Sequence, residues 1–190
     1  VSPAMSIRLL KALEPYYPLF VEEPVLPENV DEMVRVSRST TIPIAAGERL
    51  FTKFGFRELI EKQAVSVVQP DLCHCGGIFE ARKIAAMAET YYMQIAPHNP
   101  LGPISLAACM QLDACVPNLL AQEHPGMPDH ADLGVGILKT PFKIEDGYIR
   151  IPEGPGLGIE VDESKLDALR FDGTWDTPHL EFEDGSIADW

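Results

Sequence analysis

The chain has 190 residues, 46% hydrophobic and 23% charged, with 15 basic against 29 acidic side chains and a formal net charge of −14. That is a globular composition, and it excludes the collagen-like, disordered and disulfide-scaffold classes. The acidic balance excludes nucleic acid and an anionic membrane surface as partners, since both need basic side chains to displace counterions.

Apolar spacing predicts alternating helices and strands. In chain order these are a helix over 4–14, a strand over 19–22, a helix over 29–39, a strand over 42–46 and a helix over 54–63. A strand over 65–69, a helix over 78–91, a strand over 93–96, a helix over 104–115 and a strand over 118–121 follow. The helices place apolar residues at i, i+3, i+4 and i+7. The strands are continuously apolar, as parallel strands buried on both faces should be.

Every strand run leads into an ionisable residue just before a turn: Glu22, Glu48, Asp71, His98 and Glu123, at intervals of 26, 23, 27 and 25. A barrel of the (β/α)8 type assembles its site from the carboxyl ends of successive strands. A doubly wound open sheet gathers its ligand at one switch point, so five consecutive strand ends would not all contribute. The predicted fold is therefore α/β, the carboxyl-terminal part of a (β/α)8-type barrel. The five units run to about residue 125 and a closed barrel needs eight, so about three units are expected before Val1. Residues 1–128 are assigned to barrel units.

Beyond 128 the pattern changes. Gly134, Gly136, Gly147, Gly154, Gly156 and Gly158 punctuate short runs at 138–144 and 148–151, with a hairpin predicted through Glu145-Asp146-Gly147. Residues 129–190 are read as a β-rich carboxyl-terminal segment with an acidic tail. Its ten acids from 160 onward face only Lys165 and Arg170, a solvated edge rather than a cation site. No run reaches the ~20 apolar residues of a membrane span, and the expected location is cytoplasmic. Cys73, Cys75, Cys109 and Cys115 form no CxxC pair. If 73–75 is extended, its two thiols point to opposite faces, so free thiols are expected there in place of a zinc site. Cys109 and Cys115 are expected to pack as small hydrophobes in a helix.

Glu22 and Glu48 end neighbouring strands and would project into one mouth, where two carboxylates without a cation repel. An all-oxygen pair favours a hard divalent ion, Mg²⁺ over Zn²⁺. The plain alternative is a pair of loop glutamates in salt bridges. Glu23 is adjacent and alternation points it to the opposite face from Glu22, so only one of the two can be the ligand, and spacing alone does not say which. Asp71 and His98 end the next two strands, where the carboxylate would fix one imidazole nitrogen and leave the other as a base. His74 stays open between a role at the site and none. Glu123 would meet a substrate carboxylate or merely cap a loop. Gly76-Gly77 is a tight turn or a weak phosphate signal.

The strings Val21-Glu22-Glu23-Pro24, Ala46-Gly47-Glu48-Arg49, Gln69-Pro70-Asp71, Gly76-Gly77-Ile78 and Ala96-Pro97-His98 resemble the mandelate racemase branch of the enolase superfamily. Pro97-His98-Asn99-Pro100-Leu101-Gly102-Pro103, Gln122-Glu123 and Glu183-Asp184-Gly185-Ser186-Ile187-Ala188-Asp189-Trp190 are most similar to its D-galactonate dehydratase subgroup. The resemblance implies a (β/α)7β barrel whose carboxyl-terminal segment returns to an amino-terminal capping domain. It implies Mg²⁺ held by Glu22 and Glu48, with a third ligand, an Asp, and the general acid both before Val1. It makes Asp71 and His98 the catalytic dyad and His98 the base. Glu123 becomes the acid at the substrate carboxylate. The implied partner is a small-molecule sugar acid and the implied assembly a homo-oligomer. The implied reaction is dehydration of an aldonate, D-galactonate first and gluconate next, with racemisation or cycloisomerisation through the same enediolate as alternatives. A non-catalytic barrel or assembly module is the alternative from another class.

Overall fold

The computed structural model describes residues 2–171, 173 and 180–188. The helices form where periodicity places them, and the first two are started by side-chain caps. Helix α1 (Pro3–Leu13) opens on Ser2, whose side chain accepts from the Met5 amide, with a proline in its first turn. Helix α2 (Val30–Ser37) opens on Asn29, which accepts from the Glu32 amide, and Asp31 and Glu32 meet the positive end of the helix. Helices α3 (Thr52–Glu61), α5 (Gly77–Glu89) and α6 (Pro103–Asp113) follow the remaining predictions closely.

Four strands form one parallel sheet in the order β1 (Val21–Glu22), β2 (Ile44–Ala46), β3 (Val67–Val68), β4 (Gln94–Ile95). Val21 pairs Ile44, Ala45 pairs Val67 and Val68 pairs Ile95. The fifth predicted strand is reduced to a parallel bridge between Ile95 and Leu119, with the Leu120 amide donating to the Ile95 carbonyl at 2.7 Å. Spatial order that follows chain order with no reversal is the wall of a barrel, not a doubly wound sheet. The strands are shorter than predicted, although single ladder bonds continue beside them, from the Ser66 amide to the Ile44 carbonyl, Gln69 to Ala46 and Ala96 to Val68.

Alternation divides the apolar residues between two layers. Ile44, Ala46, Val68 and Ile95 pack outward against Met33, Val36, Phe56, Leu59, Ile84 and Ala88 of the helices. Ala45, Val67 and Ala96 line the inner face with Phe20 and Leu120. The polar ends of the strands therefore emerge on one rim.

A helical turn that the sequence reading treated as extended, α4 (Leu72–Cys75), follows β3, because Asp71 caps it by accepting from the Cys73 amide at 2.7 Å. All four cysteines are free: Cys75 and Cys109 are buried, Cys73 and Cys115 exposed. Cys109 packs as expected, and burial pushes its thiol up to about 12. Cys115 does not, because α6 ends two residues earlier. Gly76 and Gly77, at φ 115° and 81°, are the left-handed joint between α4 and α5, which accounts for both glycines as a turn.

The predicted hairpin forms between β5 (Ile144–Glu145) and β6 (Tyr148–Ile149), with Asp146 and Gly147 both at positive φ. Otherwise residues 129–171 hold a bridge between Leu138 and Val161, one short α-helix, α7 (Glu163–Leu166), and two single 3-10 turns at Ala131–Leu133 and Asp167–Leu169. Pro141, Pro152 and Pro155 lack ladder amides there, and Gly134, Gly136, Gly156 and Gly158 turn the chain at positive φ, so no longer ladder forms. No helix among the described residues is long and apolar enough to cross a membrane.

Candidate active site

Glu22 ends β1, and Glu48 follows β2 after Gly47. Gly47 sits at φ 149°, and a Cβ there would lie 2.8 Å from both the amide nitrogen and the carbonyl oxygen of Gln69. This close approach of two backbones turns the chain so that Glu48 faces the mouth. Its carboxyl comes within hydrogen-bonding reach of Glu22. Burial holds Glu48 above the usual carboxylate range; the charge of His98 opposes the rise and Glu22 adds to it.

The next two strand ends supply a dyad. Asp71 is fully buried. Its Oδ1 accepts from the Cys73 amide and its Oδ2 lies 2.9 Å from His98 Nδ1. Burial alone would raise this carboxyl, but the His98 and Cys73 hydrogen bonds outweigh it and hold Asp71 low. An ionised Asp71 only accepts, so Nδ1 of His98 carries a proton. The other nitrogen, Nε2, faces Glu48 Oε2 at 3.0 Å. Burial would lower His98, but Asp71, Glu48 and Glu123 together raise it above its ordinary value.

Glu123 lies beyond the Leu119 bridge, and its Oε2 accepts from the Asn99 amide at 2.7 Å, one residue past His98. Gln122 Nε2 ties the same end to the Pro97 carbonyl at 3.2 Å. The five strand-end residues are thus brought to one rim, with Glu22, Glu48, His98 and Asp71 linked in that order and Glu123 joined through the Asn99 amide. Among the described residues no group of three or more His, Cys, Asp or Glu is placed to hold a metal ion. Glu22 and Glu48 fit part of such a site: they are two hard oxygen donors within reach of each other, and a cation between them would offset the burial and the neighbouring carboxylate that hold Glu48 above its usual range. Mg²⁺ needs one or two protein carboxylates, with waters and substrate oxygens completing its shell.

Residues 1–165 match the enolase C-terminal domain-like family. The chain belongs to that family. It is 46% identical to D-galactonate dehydratase of Variovorax paradoxus (strain S110), over all of this chain and 51% of that protein. The D-galactonate dehydratase of Ralstonia pickettii (strain 12J) is also 46% identical, over the same shares. Among solved structures, mandelate racemase/muconate lactonizing enzyme from Sulfitobacter sp. is 43% identical with a TM-score of 0.86, covering 99% of this chain and 46% of that one. A mandelate racemase/muconate lactonizing enzyme-like protein from Roseovarius sp. TM1035 is 45% identical with a TM-score of 0.85, over 98% and 46%. The chain therefore spans about half the length of the curated relatives it matches. Its parallel sheet is part of the barrel of this enolase-type domain.

Three features of the rim are not settled by spacing. Glu23 takes φ 36°, which breaks the strict alternation expected between it and Glu22. Its carboxyl is raised to about 7 by burial first and then by Glu48. His74, left open, has Nδ1 3.3 Å from the Glu48 carbonyl and 3.8 Å from Asp71 Oδ2, at the edge of the dyad. Asn99, wholly buried, presents its amide to Glu123. The positive φ of Glu23 and the reach of a backbone amide have no residue-level signature. The spacing of His74, three residues into a turn capped by Asp71, is visible once that turn is recognised.

Proposed function

We propose that the enzyme containing this chain is a Mg²⁺-dependent sugar-acid dehydratase that converts an aldonate, D-galactonate first, into a 2-keto-3-deoxy acid. The observation that carries this reading is the convergence of the Glu22–Glu48 pair on the Asp71–His98 dyad, with Glu48 and His98 3.0 Å apart. The relatives named D-galactonate dehydratase support the substrate class.

Glu22 and Glu48 would hold the ion, with a third carboxylate expected from the chain before Val1. When bound, Mg²⁺ supplies positive charge against the carboxyl end of the substrate, which lowers the cost of charge developing there. His98 removes the C2 proton through Nε2. Asp71 keeps Nδ1 protonated throughout, so Nε2 is the basic nitrogen before the step and the imidazolium is paired afterwards. The electron pair of the broken C–H bond moves into the carboxyl group as an enediolate. It then returns to expel the C3 oxygen as water, with the proton for that oxygen coming from an acid outside this segment. Tautomerisation of the resulting enol gives the 2-keto acid. Glu123, held on the Asn99 amide, contacts the carboxyl end of the substrate.

Full-length protein incubated with Mg²⁺ and a panel of aldonates tests this reading. It should form a 2-keto-3-deoxy acid from D-galactonate, stop when EDTA removes the ion and recover when Mg²⁺ is restored. Preference for gluconate would move the substrate within the class. Interconversion of isomers without loss of water would overturn dehydration.

A further inference from the structure

We propose that Asp132 is a positioning residue for Glu123, acting through a clamp on the loop that follows it. This inference rests on the reading of Glu123 as a group that contacts substrate.

Asp132 is 1% exposed and serves as the hub of a short loop. Its Oδ2 lies 2.8 Å from His124 Nδ1 and accepts from the Gly126 amide at 3.0 Å, and its Oδ1 accepts from the Met127 amide at 3.2 Å. All three donors belong to the stretch directly after Glu123. Residues 125–130 are exposed, so burial does not hold that stretch in place. A buried carboxylate with several donors makes strong, charge-assisted bonds and fixes their geometry.

Asp132 is itself anchored. Its neighbour Leu133 is buried against Leu106 and Met110 of α6, and the Phe142 amide donates to the Leu133 carbonyl at 2.8 Å. Behind it Gly134, at φ 92°, lies so close to Leu138 that a Cβ would meet that side chain at 2.6 Å. The chain of support runs from α6 through Leu133 and Asp132 to His124, the residue next to Glu123. Glu123 is exposed, so its own packing does not fix it; its place on the Asn99 amide depends on the backbone on either side. Upstream that backbone is held by the Ile95 ladder and by Gln122, and downstream by Asp132.

The test is a double-mutant cycle in the full-length protein with Mg²⁺ and D-galactonate. Asp132→Ala should raise KM about tenfold, the loss of one charge-assisted substrate contact, with a smaller change in kcat. In a Glu123→Gln background the same change should alter KM less than about twofold, because the group it positions is already disabled. A tenfold effect in both backgrounds, or none in the wild type, overturns the proposal while leaving the role of Glu123 intact. If Glu123→Gln alone changes neither constant, the reading of Glu123 fails and this inference falls with it. If Asp132→Ala does not fold, Asp132→Asn retains an acceptor oxygen for the loop amides but loses the charge that pairs with His124. It should then show a smaller rise in KM and the same non-additivity. Hydrogen exchange gives a readout apart from turnover: the Asn99 amide should exchange faster in either Asp132 variant, and unchanged protection there contradicts the proposal.

Discussion

At the scale of single residues, the site depends on which atom each side chain has left to offer. Asp71 spends one oxygen on the Cys73 amide and the other on His98, so the base is oriented by a fully buried carboxylate. Asp71→Asn retains the shape but offers an amide donor to Nδ1, which transfers the ring proton to Nε2 and removes the basic lone pair. The variant should fold normally and lose on the order of 10⁴-fold in kcat, as in other sites where an orienting Asp is so replaced, measured by steady-state kinetics. Gly47→Ala should act through the backbone: the new methyl overlaps the main chain of Gln69, and β2 cannot withdraw without losing its pairing to β3. A loss of about 2 kcal/mol or more is expected by denaturant unfolding, with activity falling alongside. The five strand-end residues were legible from spacing, because each lies one repeat from the next. Spacing cannot choose between Glu22 and Glu23, and the strict alternation expected of the pair does not hold, since the left-handed Glu23 resets it. Asp132 carried no signal, because its partners are amides and a histidine brought together only by the folded loop.

At the scale of elements, the repeat was legible to within a few residues because each helix buries one periodic face. Phe56 on α3 is completely buried while Phe54, two residues earlier, is 73% exposed. Phe56→Ala should cost about 3–5 kcal/mol and Phe54→Ala close to nothing, a contrast that chemical denaturation resolves. Strand lengths were overestimated because burial, more than pairing, sets the apolar pattern: Val65 and Met93 are buried in the core but lie outside β3 and β4. The turn α4 was missed because four residues hold too little periodicity, although the Asp71 cap marks its start. The loop clamp has its own pH signature. Burial would raise Asp132, yet the His124, Gly126 and Met127 hydrogen bonds outweigh it and hold this carboxyl below its ordinary 3.8. A group lowered in the folded state contributes stability above its unfolded value and loses it as pH falls through the folded one. The stability gap between wild type and Asp132→Asn should therefore be largest near neutrality and shrink below pH 3.8, followed by thermal unfolding across pH.

At the scale of the molecule, four strands and one bridge form an open arc with free edges at β1 and beside Leu119. A groove of about 530 Å³ runs along the second edge, lined in part by Asp113, Leu120 and Tyr148, and burial raises the Asp113 carboxyl to about 7. The arc supplies two of the expected metal carboxylates and the whole dyad, so binding of the ion and turnover should separate with chain length. Calorimetric titration should show tight Mg²⁺ binding by the full-length protein and weak binding by residues 1–190 alone; equal affinity would mean that Glu22 and Glu48 suffice. The central claim is that His98, oriented by Asp71 and facing the Glu22–Glu48 pair, removes the proton next to a substrate carboxylate. Its most direct test is exchange of the C2 hydrogen of D-galactonate in D₂O, followed by NMR with full-length wild type and His98→Asn. Exchange in the wild type and none in a folded, galactonate-binding His98→Asn protein is the predicted result, and deuterium entering C2 at an undiminished rate in that variant would contradict it.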